Sequence, residues 1–194
     1  MIYKIPVPNI DKIIHHVKNN FNTFYPWNDN EEGYSGYGLT YNPEYPLQKE
    51  RQVLGPISEY FDLYQESHKF DKITCKDSEK LFELINLPYK PIRSRIAVID
   101  GNSNINSRSA WHCDENPNYC IRVNIPIQTN EYYHLQTETD LITPEIGYAY
   151  IWDTSKIHRA FCSKKNNLKR INLVLGYIPD EQDSYISEVI NNIR

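Results

Sequence analysis

"RVNIPI" occupies residues 122–127, and "RINLVL" repeats its design at residues 170–175. Side chains alternate faces along an extended strand. Arg122 and Asn124 therefore share one face, with Val123, Ile125 and Ile127 on the other. Arg170 and Asn172 likewise face away from Ile171, Leu173 and Leu175. One reading is a one-sided antiparallel sheet with a wet face. The other turns the apolar faces outward under helices and the Arg/Asn faces inward, as the lining of a cavity between two sheets. An interior holding two arginines calls for an anionic guest, because unpaired buried charge is costly and the planar guanidinium suits carboxylate or phosphate.

The same alternation runs through residues 91–178. "IRSRIAVID" (92–100), "YCIRVNIPIQ" (119–128), "YYHLQTE" (132–138), "IGYAYIWD" (146–153), "HRAFCS" (158–163) and "RINLVLGY" (170–177) are short runs rich in Ile, Val and Tyr, separated by turn-rich segments. Such a series predicts an antiparallel sandwich or barrel. Residues 1–90 read differently. "NIDKIIHHVKNNF" (9–21) sets Ile10, Ile13, Ile14, Val17 and Phe21 on one helical face. "PISEYFDLYQESHKF" (56–70) and "DSEKLFELINL" (77–87) are two further amphipathic helices, the latter with Asp77 or Ser78 as its N-cap. Residues 25–48, rich in Gly, Pro, Asn and Tyr, read as a long ordered loop. The tail, residues 181–193, predicts a helix with Tyr185, Ile186, Val189 and Ile190 as its apolar face.

At 194 residues and 40% hydrophobic content the chain suits a single domain with a proper core. Its parts are an N-terminal helical and loop region (1–90), a β core (91–178) and a C-terminal helix (179–194). Helices need sheets on which to bury their stripes, so α+β is the expected class. The formal charge of −4 is spread over both halves, and no basic stripe appears, which argues against a general nucleic-acid binder. The N-terminus has no long apolar run and reads as neither signal peptide nor membrane anchor. Cys75, Cys113, Cys120 and Cys162 lie far apart, a usage that suits a reducing cytoplasm rather than a disulfide scaffold.

The chemistry concentrates in "SAWHCDENPNYCIRVNIPIQ" (109–128). His112 and Asp114 point the same way on an extended chain, and Cys113 points away. An imidazole and a carboxylate at that spacing can grip one metal ion, with His158 of a later strand as third ligand. Two histidines and one carboxylate with open positions form the facial arrangement of non-haem Fe(II) oxygenases. Each piece also has a plainer reading. His-x-Asp occurs often beside surface turns, "DENPN" is turn sequence, and a lone His158 fits a satisfied, partly buried histidine. Zinc is a rival, because Cys113, Cys120 and Cys162 lie near the histidines in sequence. The alternation and the missing Cys-x-x-Cys spacing argue against it. His15, His16, His68 and His134 have no companions at ligand spacing and read as surface or packing residues.

In that order, "WHCD", "RVNIPIQTN", "GYAYIWDTSKIHRAF" and "RINLVLGY" resemble the 2-oxoglutarate/Fe(II)-dependent oxygenases, and more narrowly their aspartyl/asparaginyl β-hydroxylase branch. The resemblance covers roughly residues 92–178. It implies a double-stranded β-helix, a jelly-roll or cupin-like fold, with N-terminal helices and a C-terminal helix packed on one sheet. It implies Fe(II) held by His112, Asp114 and His158, with 2-oxoglutarate and O2 as co-substrates. Arg170 would clamp the distal carboxylate of the keto acid. Arg122 would meet its other carboxylate or support Arg170, with Asn124 hydrogen-bonding nearby. Asp153 would be either a support for His158 or a plain turn former. Trp111 and Trp152 would wall the pocket or pack in the core. Some members of the branch, and related halogenases, lack the carboxylate ligand; Asp114 is present, which argues for hydroxylation. The implied substrate is a protein or peptide side chain of the Asp, Asn or Pro type. The alternatives are a free amino acid or other small metabolite, and a non-catalytic cupin-like module.

Overall fold

The computed structural model describes residues 1–27, 33–43, 71–87, 89–102 and 111–178. The helices expected over 56–70 and 181–193 lie outside the described residues. Two antiparallel sheets face each other. The larger runs in the order β1 (Tyr3–Pro6), β10 (Tyr148–Ile151), β7 (Ile121–Gln128), β12 (Lys169–Tyr177), β6 (Pro91–Asp100), β3 (Tyr34–Gly38), β2 (Tyr25–Trp27). The smaller is β11 (His158–Cys162), β8 (Tyr133–Thr137), β9 (Leu141–Ile142). A short pair, β4 (Thr40–Tyr41) and β5 (Lys72–Ile73), completes the strands. This is a double-stranded β-helix, with α1 (Ile10–Asn19) and α2 (Lys76–Ile85) behind the larger sheet.

The two rhyming strands are direct neighbours. Leu173 of β12 pairs with Ile125 of β7 on one side and Ile96 of β6 on the other. Their apolar faces meet Ile13 and Val17 of α1 and Leu81 of α2 in one buried cluster with Val123, Ile127 and Leu175. Burying each such aliphatic side chain contributes about 1.5–3 kcal/mol. Helices thus cover the outer face of the sheet, and the Arg/Asn faces turn inward. Pro126, which has no N–H to give a ladder, sits where the β7–β12 register slips between Ile171 and Asn172.

Three expectations change. Tyr25–Trp27 and Tyr34–Gly38, read as loop, are strands at one end of the larger sheet, β3 pairing with β6 from Tyr34↔Ile99 to Gly38↔Arg95. Local glycines and prolines hide strand character that a long partner strand supplies. β1, also unanticipated, closes the opposite edge against β10. The N-cap of α2 is Cys75, with no side-chain capping bond. Asp77 and Ser78 lie in its first turn instead, where the Ser78 hydroxyl meets that of Thr74 at 2.9 Å. Among the described residues no helix is long and apolar enough to cross a membrane.

Candidate metal centre

His112 and His158 are joined main chain to main chain. His112 N–H donates to the His158 carbonyl at 3.0 Å, and His158 N–H donates to the His112 carbonyl at 2.9 Å. This bridge extends the smaller sheet beyond β11 and brings the two imidazole centroids to 4.4 Å. Two residues on, Asp114 N–H donates to the Thr154 carbonyl at 2.8 Å, so the carboxylate stays on the side of His112. One ligand atom from each of His112, Asp114 and His158 lies within 4.8 Å of the other two. Among the described residues this is the one His/Cys/Asp/Glu group so arranged. The cysteines take no part: Cys113 is exposed, and Cys120 and Cys162 are buried elsewhere, all as free thiols.

The tautomer of His158 is set by its surroundings. Its Nδ1 lies 2.9 Å from the Lys156 carbonyl, an acceptor, so Nδ1–H donates and in the neutral ring the lone pair is on Nε2. That Nε2 faces Asp114 Oδ2 at 3.8 Å. Burial alone would push the Asp114 carboxyl up. The interaction with His158 and the positive fields of Arg122, His112 and Arg95 outweigh it, and the group sits well below the ordinary carboxylate range. A carboxylate and two imidazole nitrogens facing one point, with one nitrogen's partner bond already made, is a donor set that fits a divalent transition metal.

Asp153 acts one step behind. Its Oδ1 accepts from the Ser155 N–H (3.1 Å) and hydroxyl (2.6 Å), closing the turn that presents the Lys156 carbonyl. It is a turn former that does not touch the imidazole. Asp153→Ala is expected to loosen His158 and to weaken Co(II) binding about 10-fold, with little change in the unfolding midpoint of the metal-free protein. Titration followed by cobalt absorbance checks it.

The centre opens into a cavity of about 70 Å3. Its walls include Tyr34, Arg95, Asn124, Trp152, Arg170 and Asn172, so both rhyming polar faces line it. Arg170 is 4% exposed, its Nε has no hydrogen-bond partner, and no salt bridge to it occurs among the described residues. Burial lowers its pKa to about 10, against the opposing pull of Tyr34 and Tyr133, so it is a cation at neutral pH. Asn172 Nδ2 donates to Asn124 Oδ1 at 2.9 Å and to the Leu173 carbonyl at 3.1 Å. The Asn172 Oδ1 and the Trp152 Nε1, both buried, have no partner. Orphaned buried polar atoms gathered in one cavity mark space for a guest.

Arg122 departs from its expected part. It is 1% exposed, and its Nε and Nη2 donate to the Glu115 carboxylate at 3.2 and 2.9 Å while Nη1 donates to the Arg93 carbonyl at 2.7 Å. With its fork spent on Glu115, it is a partner of that residue rather than a receptor for a keto-acid carboxylate. Trp111 is corrected too. It neither packs in the core nor walls the cavity: it is 42% exposed, and the Arg159 guanidinium lies 4.4 Å over its ring. Trp152 does line the cavity, its ring edge-on to His158 at 5.4 Å. Three residues escaped the sequence reading. Arg95 follows the rule that exposed Arg122 and Arg170, since alternation along "IRSRIAVI" sets Arg95 and Ala97 opposite Ile96 and Val98. Tyr34 was hidden in the stretch taken for loop. Glu115 was readable only as a charge next to Asp114 that needs a cation on the opposite side.

No protein-family model matches the chain, and no curated protein sequence matches it. Solved structures do. An oxidoreductase of the 2OG-Fe(II) oxygenase family from Burkholderia pseudomallei is similar with a TM-score of 0.52 and 11% identity, over 91% of this chain and 83% of that one. A prolyl hydroxylase from Trichoplax adhaerens, in complex with a hypoxia inducible factor oxygen degradation domain peptide fragment, gives 0.49 and 12%, over 91% and 82%. A Pseudomonas putida prolyl-4-hydroxylase gives 0.46 and 9%, over 91% of each chain. At these identities the likeness to the first speaks for the fold: the chain is a double-stranded β-helix of the kind seen in that oxygenase.

Proposed function

We propose that the protein is a 2-oxoglutarate- and Fe(II)-dependent dioxygenase that hydroxylates an unactivated C–H bond. The observation that carries this reading is the meeting of two features in one cavity. One is the His112/Asp114/His158 donor set, and the other is a buried Arg170 with no carboxylate of the described chain to neutralise it. A keto acid with a second carboxylate joins the two. When bound, the metal and keto acid supply the oxidation that side chains cannot, converting 2-oxoglutarate, dioxygen and R–H to succinate, carbon dioxide and R–OH.

The polypeptide then has four tasks. His112, Asp114 and His158 would hold the ion through two imidazoles and one carboxylate. Arg170 binds and orients the distal carboxylate by charge-assisted hydrogen bonds. The Asn124–Asn172 pair and the Trp152 indole N–H supply polar contacts along the wall. Leu135 and Ala160, which also line the cavity, limit water around the reacting carbon. The resemblance to the aspartyl/asparaginyl β-hydroxylase branch supports a protein or peptide side chain of the Asp, Asn or Pro type as substrate, met in the cytoplasm. The test is succinate formation from 2-oxoglutarate by metal-free protein reloaded with Fe(II) in the absence of air and then exposed to O2. Slow turnover without substrate is expected, stimulated by peptides bearing these residues. Stimulation by free amino acids alone would change the substrate class. Bound zinc with no succinate would end the oxygenase reading.

A further inference from the structure

Glu115 follows a metal-ligand candidate directly, yet it points into a different set of partners. It is 2% exposed, accepts from Arg122 through two guanidinium nitrogens and forms an ion pair with Arg93. Its carbonyl accepts the Thr154 hydroxyl at 2.7 Å, one residue along from the bond that fixes Asp114 to the same threonine. Space is kept clear for this arrangement. A methyl on Gly176 would lie 2.5 Å from the Ile92 carbonyl oxygen and 3.3 Å from Arg122 Nη1. One buried carboxylate thus faces two guanidinium groups.

The other side of Arg122 gives this its consequence. Arg122 lines the same cavity as Asp114. A buried guanidinium seeks the nearest carboxylate, and two are within its neighbourhood. If Arg122 were to pair with Asp114, that carboxylate would be lost as a metal ligand.

We propose that Glu115 is a positioning residue that engages Arg122 and so keeps the Asp114 carboxylate available to the metal. The proposal rests on the reading of His112, Asp114 and His158 as metal ligands. Glu115 touches neither metal nor guest. It acts by occupying a competitor, a role that packing alone does not have, because its loss is repaired by removing the competitor as well.

The experiment is Co(II) titration of the metal-free protein, read by visible absorbance, beside thermal unfolding without metal. Glu115→Gln is expected to weaken Co(II) binding by about 10-fold or more. The double variant Glu115→Gln/Arg122→Gln is expected to return it to within about threefold of wild type. Wild-type affinity in Glu115→Gln overturns the proposal, and so does a double variant as weak as the single one. If Glu115→Gln does not fold, Glu115→Asp, whose carboxylate is drawn back by one methylene, replaces it in both arms with the same outcomes. Failure of the underlying metal reading shows separately: wild-type protein would then bind no Co(II), or would bind it equally well as His158→Ala.

Discussion

His158→Ala is expected to abolish 2-oxoglutarate turnover, by at least about 100-fold, since even partners one shell beyond a metal cost 10–100-fold. The fold should survive. The links between His158 and His112 are main-chain hydrogen bonds in both directions, which alanine keeps. What goes is an imidazole whose Nε2 faces Asp114 and whose ring meets Trp152, leaving a small void and a stability loss of about 1–3 kcal/mol. Iron content, succinate yield and urea unfolding together distinguish the cases. A folded variant without iron and without succinate is the expected result. A folded variant with normal succinate would remove His158 from the centre and leave His112 and Asp114 as a surface pair.

Much of this centre was readable because it obeys period two. The alternation in "RVNIPI" and "RINLVL" put the arginines and asparagines on one face, and the same rule put His112 with Asp114 and sent Cys113 outward. What alternation does not reveal is which cation meets which anion. Arg122 and Arg170 look equivalent in sequence, and only the fold separates them. Glu115 captures the first, while no described carboxylate pairs with the second. The edge strands failed for a related reason. Tyr34–Gly38 has two glycines in five residues, and its strand state comes from pairing with Pro91–Asp100, more than fifty residues away. Trp111 shows a third limit. An aromatic residue next to a metal ligand reads as pocket or core, but one residue's shift along the strand sends it to the outer face, where Arg159 stacks on it.

Arg170→Met is expected to move function and stability in opposite directions. A bidentate contact to a carboxylate is two hydrogen bonds to charged groups, each about 1.5–3 kcal/mol. Losing both should raise the 2-oxoglutarate requirement by about 100-fold or more. Arg170→Lys, which keeps the charge and loses the fork, should fall between. The protein without keto acid should behave otherwise. Arg170 is buried, its Nε has no partner, and burial brings its pKa down to about 10. A group whose folded pKa is depressed in this way penalises folding while it is protonated. Above about pH 10 the unfolded chain binds the proton more tightly, so this contribution improves as pH rises from there and is wholly unfavourable at pH 7. Methionine removes it, and exchange of buried charge for apolar side chains of similar size has stabilised proteins by about 1–4 kcal/mol. Metal-free Arg170→Met should therefore unfold at higher urea than wild type. Adding 2-oxoglutarate to the Co(II) forms should stabilise wild type by neutralising the guanidinium and leave the variant nearly unmoved. A variant that is less stable yet keeps its affinity for the keto acid would assign the guanidinium to the scaffold, and the anion would have to be held elsewhere on the cavity wall, with Arg95 the next candidate.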